Sequence, residues 1–241
     1  MNIAYIMNCI NKSEITIPTT LHNFKTAMHP IEQTIFTDNG SSEKNIKAFI
    51  EEESTVPIFN EENIGNPQAL NNAMELAFYK YDCDAVLIMG NDIEMTNRWL
   101  AAAVRAYNDI EKTGLIGWSW RGNKSNIALN GHNVDMVMDG GRVFGSWFLP
   151  RTTFDKCGYF SEFSKYGCWD STYNVQVSQA GLHRYYLCDF PSKHITGDEE
   201  FSQYRRLKDD ELIKGAEGNM KRMEEIKKTG KNYVTRDGIL R

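Results

Sequence analysis

The chain is poor in cysteine, with five in 241 residues (Cys9, Cys83, Cys157, Cys168 and Cys188). They are scattered, odd in number and form no C-x-x-C pair. That excludes a disulfide framework and a structural zinc site, and it fits a reduced, cytoplasmic chain. No apolar run approaches the roughly 18 residues that a membrane helix needs. The first residues also lack the shape of a signal peptide. Residues 3–12 contain no glycine, so neither a Gly-rich phosphate loop nor a G-x-G-x-x-G turn follows the first predicted strand. Nucleotidyl transfer that makes nucleotide sugars and dinucleotide oxidoreduction are both disfavoured on that ground. Positive charge is not in excess: 27 Lys and Arg stand against 32 Asp and Glu, a net charge of -5. This balance weighs against a surface that coats nucleic acid.

What is present is an alternation of strands and helices, the pattern of a mainly parallel sheet flanked by helices. Ile3–Met7, Gln33–Thr37, Val56–Phe59, Ala85–Met89, Leu115–Trp118 and Arg184–Cys188 read as strands. Helices are predicted within Ile17–Met28, from an Asn66 cap with Pro67 next, from Thr96 through Tyr107, over Arg151–Cys157 and over Asp170–Ala180. After about Arg121 the chain turns polar and Gly-rich around short apolar runs at Val134–Met138 and Val143–Phe148. These predict a substrate-facing insertion with a strand pair. The charged stretch Asp209–Lys228 predicts a docking helix with Leu212, Ile213, Ala216, Met220, Met223 and Ile226 as its packing stripe. The expected organisation is one α/β domain over 1–200, with halves at about 1–120 and 121–200, and a C-terminal helical extension over 201–241.

The most informative segment is Ala85-Val86-Leu87-Ile88-Met89-Gly90-Asn91-Asp92-Ile93-Glu94. Five apolar residues make a buried strand, and the chain then turns at Gly90 and presents two acids two positions apart. In extended backbone Asp92 and Glu94 face one side. Hard oxygen ligands at the carboxyl end of a central strand suit Mg²⁺ or Mn²⁺ held against phosphates. A solvated acidic turn has the same sequence.

Four segments match one family in order. Cys9-Ile10-Asn11 stands where that family carries Thr-Tyr-Asn. Thr37-Asp38-Asn39-Gly40-Ser41-Ser42 resembles its Asp-Asn-Gly-Ser turn, Asn63-Ile64-Gly65 with Asn71 its Asn-x-Gly…Asn segment, and Gly90–Glu94 its DxD motif. Gly145 to Arg151, Phe154, Gly158-Tyr159-Phe160, Asp170 and Gly181 follow its acceptor-side pattern. Over roughly residues 1–200 the chain resembles the nucleotide-sugar glycosyltransferases of the GT-A fold, specifically family 2.

The resemblance implies a metal-dependent, inverting transfer from a nucleoside-diphosphate sugar, UDP-sugar favoured, to a hydroxyl acceptor. It implies nucleotide contacts at Cys9, Asn11, Asp38, Asn63, Gly65, Asn71, Asn91 and Asp92. Asp38 also reads as a turn former. Metal ligation falls to Asp92, Glu94 and His194, the last in Lys193-His194-Ile195-Thr196-Gly197, with His132 a weaker candidate. Asp170 stands at the family's base position, and it also reads as a helix N-cap. Trp147 and Trp169 are acceptor-stacking candidates. Trp118 and Trp120 line the same cleft or pack in the core.

Three departures bear on substrate: Ile10 for an aromatic residue, the absence of the first acid of a full DxD, and Trp169 for the acid before the base. A glycan is the favoured acceptor, and a modified nucleic-acid base is a remote one. A catalytically idle module that binds nucleotide or carbohydrate without turnover is the alternative reading. Asp170→Asn separates the two.

Overall fold

The computed structural model describes residues 1–118, 127–137, 141–143, 145–163, 165–195 and 209–241, except the side chains of 209–214. Its strands are β1 (Ile3–Cys9), β2 (Gln33–Asn39), β3 (Val56–Asn60), β4 (Ala85–Met89), β5 (Ile93–Met95), β6 (Thr113–Trp118), β7 (Ile127–Leu129), β8 (His132–Met136), β9 (Trp147–Pro150), β10 (His183–Leu187) and β11 (Ser192–His194). Its helices are α1 (Ser13–Thr26), α2 (Lys44–Glu53), α3 (Asn66–Glu75), α4 (Trp99–Asp109), α5 (Arg151–Cys157), α6 (Trp169–Gln179) and α7 (Asp209–Thr229). α3 runs on into a wider π turn at Leu76–Lys80.

Among the described residues, the main sheet has the order β3-β2-β1-β4-β9-β6-β10-β8-β7. β1 to β4 pair in parallel, as do β6 and β10, whereas β9 enters the centre antiparallel to β4 and β6. β1 is apolar on both faces, which only a covered strand tolerates. Its residues divide by the two-residue period. Ile3, Tyr5, Met7 and Cys9 join α1, α2 and α4 in one core, and Ala4 and Ile6 join α3, α5 and α6 in the other.

The predicted strand pair is built differently. Among the described residues the Val134 and Val143 runs do not pair with each other. β8 pairs with β7 and extends the sheet's far edge, while β9 sits in the sheet's middle. The reason is burial. Trp147, Phe148 and Leu149 are apolar towards both faces and fully buried, so that run needs a central position. Met138 and Phe144 lie outside the described residues.

Three predicted helix starts shift. Gly65, not Asn66, occupies the cap position of α3, at φ 96°. α4 opens after Arg98 in left-handed backbone, so Thr96 is not its cap. α6 opens after Cys168, also left-handed. The C-terminal stripe is rotated from the predicted one: Gly215, Asn219 and Ile226 are buried, and Met220 is half-exposed. Leu212 and Ile213 fall among the undescribed side chains. The extension is also not purely helical, because Val234 bridges Gly158 on one side and Leu240 on the other.

Leu87 sits at the sheet's centre with no exposed surface, opposite Tyr5 on one side and Phe148 on the other. Leu87→Ala is expected to lower unfolding free energy by about 2–5 kcal/mol. Urea denaturation with an unchanged slope checks it.

Candidate active site

The carboxyl ends of β1, β2 and β4 lie along one edge of the sheet, where α/β folds bind ligands. At that edge the chain leaves β4 through Gly90. A side chain there would bring its Cβ to 2.8 Å from Ile93 Cγ1 and 3.3 Å from Asp92 Oδ1, so the turn requires glycine. β5 follows and is stitched to α1 by the buried Asn23, whose Nδ2 donates to Ile93 O at 2.8 Å. Met95 N donates to Asn23 Oδ1 at 2.8 Å. β11 then pairs antiparallel with β5, setting Ile93 opposite His194, and Ile195 N donates to Asp92 O at 2.9 Å.

This pairing brings His194 Nε2 to 3.2 Å from Asp92 Oδ2, with the two side chains 22% and 25% exposed. Two ligands held at about 2.1 Å and at right angles on one ion lie about 3.0 Å apart. The carboxylate and imidazole therefore fit a divalent cation. Glu94 is not part of this pair; it stands opposite Lys193 in the ladder. Among the described residues no group of three or more His, Cys, Asp or Glu is gathered to hold a metal. A cation held by Asp92 and His194 would complete its shell with water and phosphate oxygens, as Mg²⁺ commonly does. Asn91 stays beside the pair, its Nδ2 donating to Thr16 Oγ1 at 2.9 Å. Thr196 and Gly197 lie outside the described residues.

A chain of contacts leads from this edge through β9 to the neighbour of Asp170. Gly90 N donates to Ser146 Oγ at 3.2 Å, Ile88 pairs with Trp147, and the Trp147 ring lies 5.3 Å from that of Trp169 at the start of α6. Asp170 is not the N-cap; Cys168 takes that position without a side-chain hydrogen bond. Asp170 Oδ1 accepts Ser171 N at 2.8 Å, while Arg142 Nη1 stands 3.7 Å from Oδ2 and donates to Ser171 Oγ at 2.8 Å. Trp147 is fully buried against Phe160, Trp169 and Tyr173. It offers no face to an acceptor, and the ring left partly exposed is Trp169. Trp118 is core, its Nε1 donating to Trp99 O at 3.2 Å, and Trp120 lies outside the described residues. His132 braces Asp109 at 2.8 Å, and its strand β8 belongs to the main sheet, not to the β5–β11 ladder.

The sequence profile described as glycosyl transferase family 2 matches residues 5–168, more than half of the chain. The chain belongs to glycosyl transferase family 2. No curated protein matches it. Among solved structures it is similar to the mannosyltransferase PcManGT from Pyrobaculum calidifontis in complex with GDP-Man and Mn²⁺, with TM-score 0.65 and 14% identity over 88% of this chain and 62% of that one. It is also similar to TarS of S. aureus, with TM-score 0.63 and 16% identity over 86% of this chain and 39% of that one. GalNAc-T7, solved with UDP, GalNAc and Mn²⁺, gives TM-score 0.58 and 14% identity over 81% and 44%. At such identities the likeness is one of fold, and that fold is GT-A. The chain spans less than two thirds of the length of each of these structures.

Several of the positions that carry the family 2 motif serve as frame. The Cys9 side chain is buried in the core, donating to Thr37 O, and burial, with the Asp38 and Glu43 charges behind it, pushes its thiol up to about 12. Asp38 has no exposed side-chain surface. Its Oδ1 accepts Ser41 N at 2.9 Å, the turn-former contact, and its Oδ2 lies 3.9 Å from Lys47 Nζ with no hydrogen-bond partner among the described residues. Asn11 Oδ1 takes Ser42 N at 2.9 Å and Glu43 N at 3.2 Å. Asn63 joins Asn39, Gly65 N and Tyr166, and Gly65 packs on Lys165 so closely that a Cβ would lie 2.6 Å from its Cα. Asn71 is fully buried and bonds both N and O of Phe160, as well as Glu162. A donor contact from Asn71 would have to break that brace.

Glu43 was not legible in the sequence. Asn11 and Lys12 are both left-handed, at φ 54° and 62°, a conformation that non-glycine residues hold only under restraint. The restraint is the Glu43 carboxylate, which accepts Lys12 N and Ser13 N at 2.9 Å each and so caps α1 from 30 residues away. The Ser13 backbone N–H, then its hydroxyl, then the Lys12 N–H hold this carboxyl below its ordinary value. A depressed carboxyl stabilises the fold above its unfolded pKa, and the contribution is lost as pH falls through the folded value. Wild type is therefore expected to exceed Glu43→Gln in stability by a constant margin from about pH 6 to 8. Below about pH 4.3 the margin closes, as paired denaturation curves would show.

Proposed function

We propose that the chain transfers a sugar, with inversion, from a nucleoside-diphosphate sugar to a hydroxyl of a glycan acceptor, UDP-sugar being the favoured donor. The observation that carries this reading is the apposition of Asp92 and His194 just beyond the carboxyl end of β4, from which β9 and the Trp147–Trp169 contact lead to Asp170. A bound Mn²⁺ or Mg²⁺ supplies neutralisation of the charge that develops on the departing diphosphate.

The chain's own residues do the rest. Asp92 and His194 orient the diphosphate end of the donor, with Asn91 alongside. Asp170 accepts the acceptor hydroxyl's proton as that oxygen attacks the anomeric carbon and the sugar–phosphate bond breaks. Arg142 and Ser171 hold the Asp170 carboxylate in place. Trp169 presents a ring edge or face to the acceptor's CH groups. Asn11, Asn63 and Gly65 contribute by fixing the loops around the donor. No disulfide joins the five cysteines, and no helix of the described residues is long and apolar enough to cross a membrane; the former supports a reducing, cytoplasmic setting.

A thermal-shift panel of UDP, GDP, dTDP and CMP, each with Mn²⁺, Mg²⁺ or EDTA, tests the donor class. A saturating ligand at 100 times its Kd adds about 2.7 kcal/mol of apparent stability. The expected outcome is a shift with UDP and metal that EDTA removes. Asp92→Ala should lose that metal-dependent shift. Asp170→Asn should keep it while turnover falls by about 10²-fold or more. No shift with any diphosphate would leave the family fold without its activity.

A further inference from the structure

The family 2 profile ends at residue 168, two residues before Asp170, yet the segment that holds Asp170 in place lies beyond it. α6 opens on Cys168 at φ 57°, with no side-chain cap on its first turn. A left-handed cysteine at an uncapped helix start persists only where its surroundings fix it. The fixing group is Asn219 on α7, which is fully buried. Its Nδ2 donates to Gly167 O at 3.2 Å and to Gly215 O at 2.8 Å, and its Oδ1 accepts Thr172 Oγ1. Gly167 precedes Asp170 by three residues and Thr172 follows it by two. One amide thus spans the strained entry of the helix.

The neighbouring contacts act in the same sense. Gly218 lies against Phe163, where a Cβ would come within 2.7 Å of the ring. Arg222 covers that ring at 5.2 Å. From the tail, Arg236 Nη1 donates to Glu162 Oε1 at 2.6 Å, and Glu162 in turn accepts Asn71 Nδ2 at 2.7 Å.

We propose that residues 215–236 form a clamp on the active site, with Asn219 the positioning residue that sets the direction of the Asp170 carboxylate. The inference rests on the reading of Asp170 as the base. Asn219 touches neither donor nor acceptor in this scheme; it acts through Gly167 and Thr172.

The test uses the full chain with Asn219→Ala and Thr172→Val, the second removing the hydroxyl that serves Asn219 Oδ1 and lies 3.3 Å from Cys168 O. Amide exchange at residues 168–172 should quicken at least about tenfold in both variants. The slow hydrolysis of UDP-GlcNAc or GDP-mannose, whichever stabilises the chain with Mn²⁺, should fall in kcat about tenfold or more, because small displacements of a catalytic group are costly. KM for that sugar nucleotide should stay within about twofold, and the double variant should be no worse than Asn219→Ala. A merely structural role would move stability without this split. Unchanged exchange at 168–172 in either folded variant, or an unchanged kcat, overturns the clamp. Should Asn219→Ala fail to fold, Thr172→Val alone decides. An Asp170→Asn chain that hydrolyses the sugar nucleotide as fast as wild type overturns the base assignment instead.

Discussion

The pairing of β5 with β11 is the contact on which the site depends. Each strand has three residues, too short to be stable alone, and each is held by something already fixed. β5 hangs from Asn23 of α1 through both its amide and its carbonyl oxygen. β11 is steadied by Ser192 Oγ, which donates to Trp118 O at the end of β6. An acid at residue 92 and a histidine at residue 194 meet only because this small ladder closes. The buried Asn23 is a fully used polar group in an apolar layer, and such a group specifies one arrangement because any shift orphans its partners.

Strained backbone recurs at the edges of this site, and in each case a distant polar side chain restrains it. Asn11 and Lys12 are held by Glu43, and Cys168 by Asn219. These loops are thus held by the surrounding frame, not by their own propensity. This is the arrangement expected where binding groups must be preorganised.

A pair of braces also joins the two halves of the domain. Asn63 bonds Tyr166, and Asn66 N donates to Lys165 O at 2.9 Å. The entry of α3, on the donor side, is thereby tied to the segment that leads into α6. With α7 packed on the other side of that segment, it is gripped between the first third of the chain and the last. The motif asparagines Asn11, Asn63 and Asn71 of this chain are spent on such ties, whereas Asp92, His194, Trp169 and Asp170 keep part of their surface exposed.

The alternation of apolar runs made the strands Ala85–Met89 and Ile3–Met7 and the helix Arg151–Cys157 legible at the level of the sequence, because burial on two faces and helical spacing are local signals. The Gly90–Asp92 turn and the order of the family motifs were legible for the same reason. The rotated face of α7, the central place of β9, the withdrawal of Asp38, Asn71 and Trp147 into the frame, and the roles of Glu43 and Asn219 were not. Each depends on a partner dozens of residues away, such as Glu43 on Ser13 or Asn219 on Gly167, and no periodicity encodes such a pairing. The sequence by itself determined the family and the order of its motifs. The tertiary structure decided which of the motif side chains are buried in the frame and which keep an exposed surface, since a side chain's direction is set by what packs against its backbone.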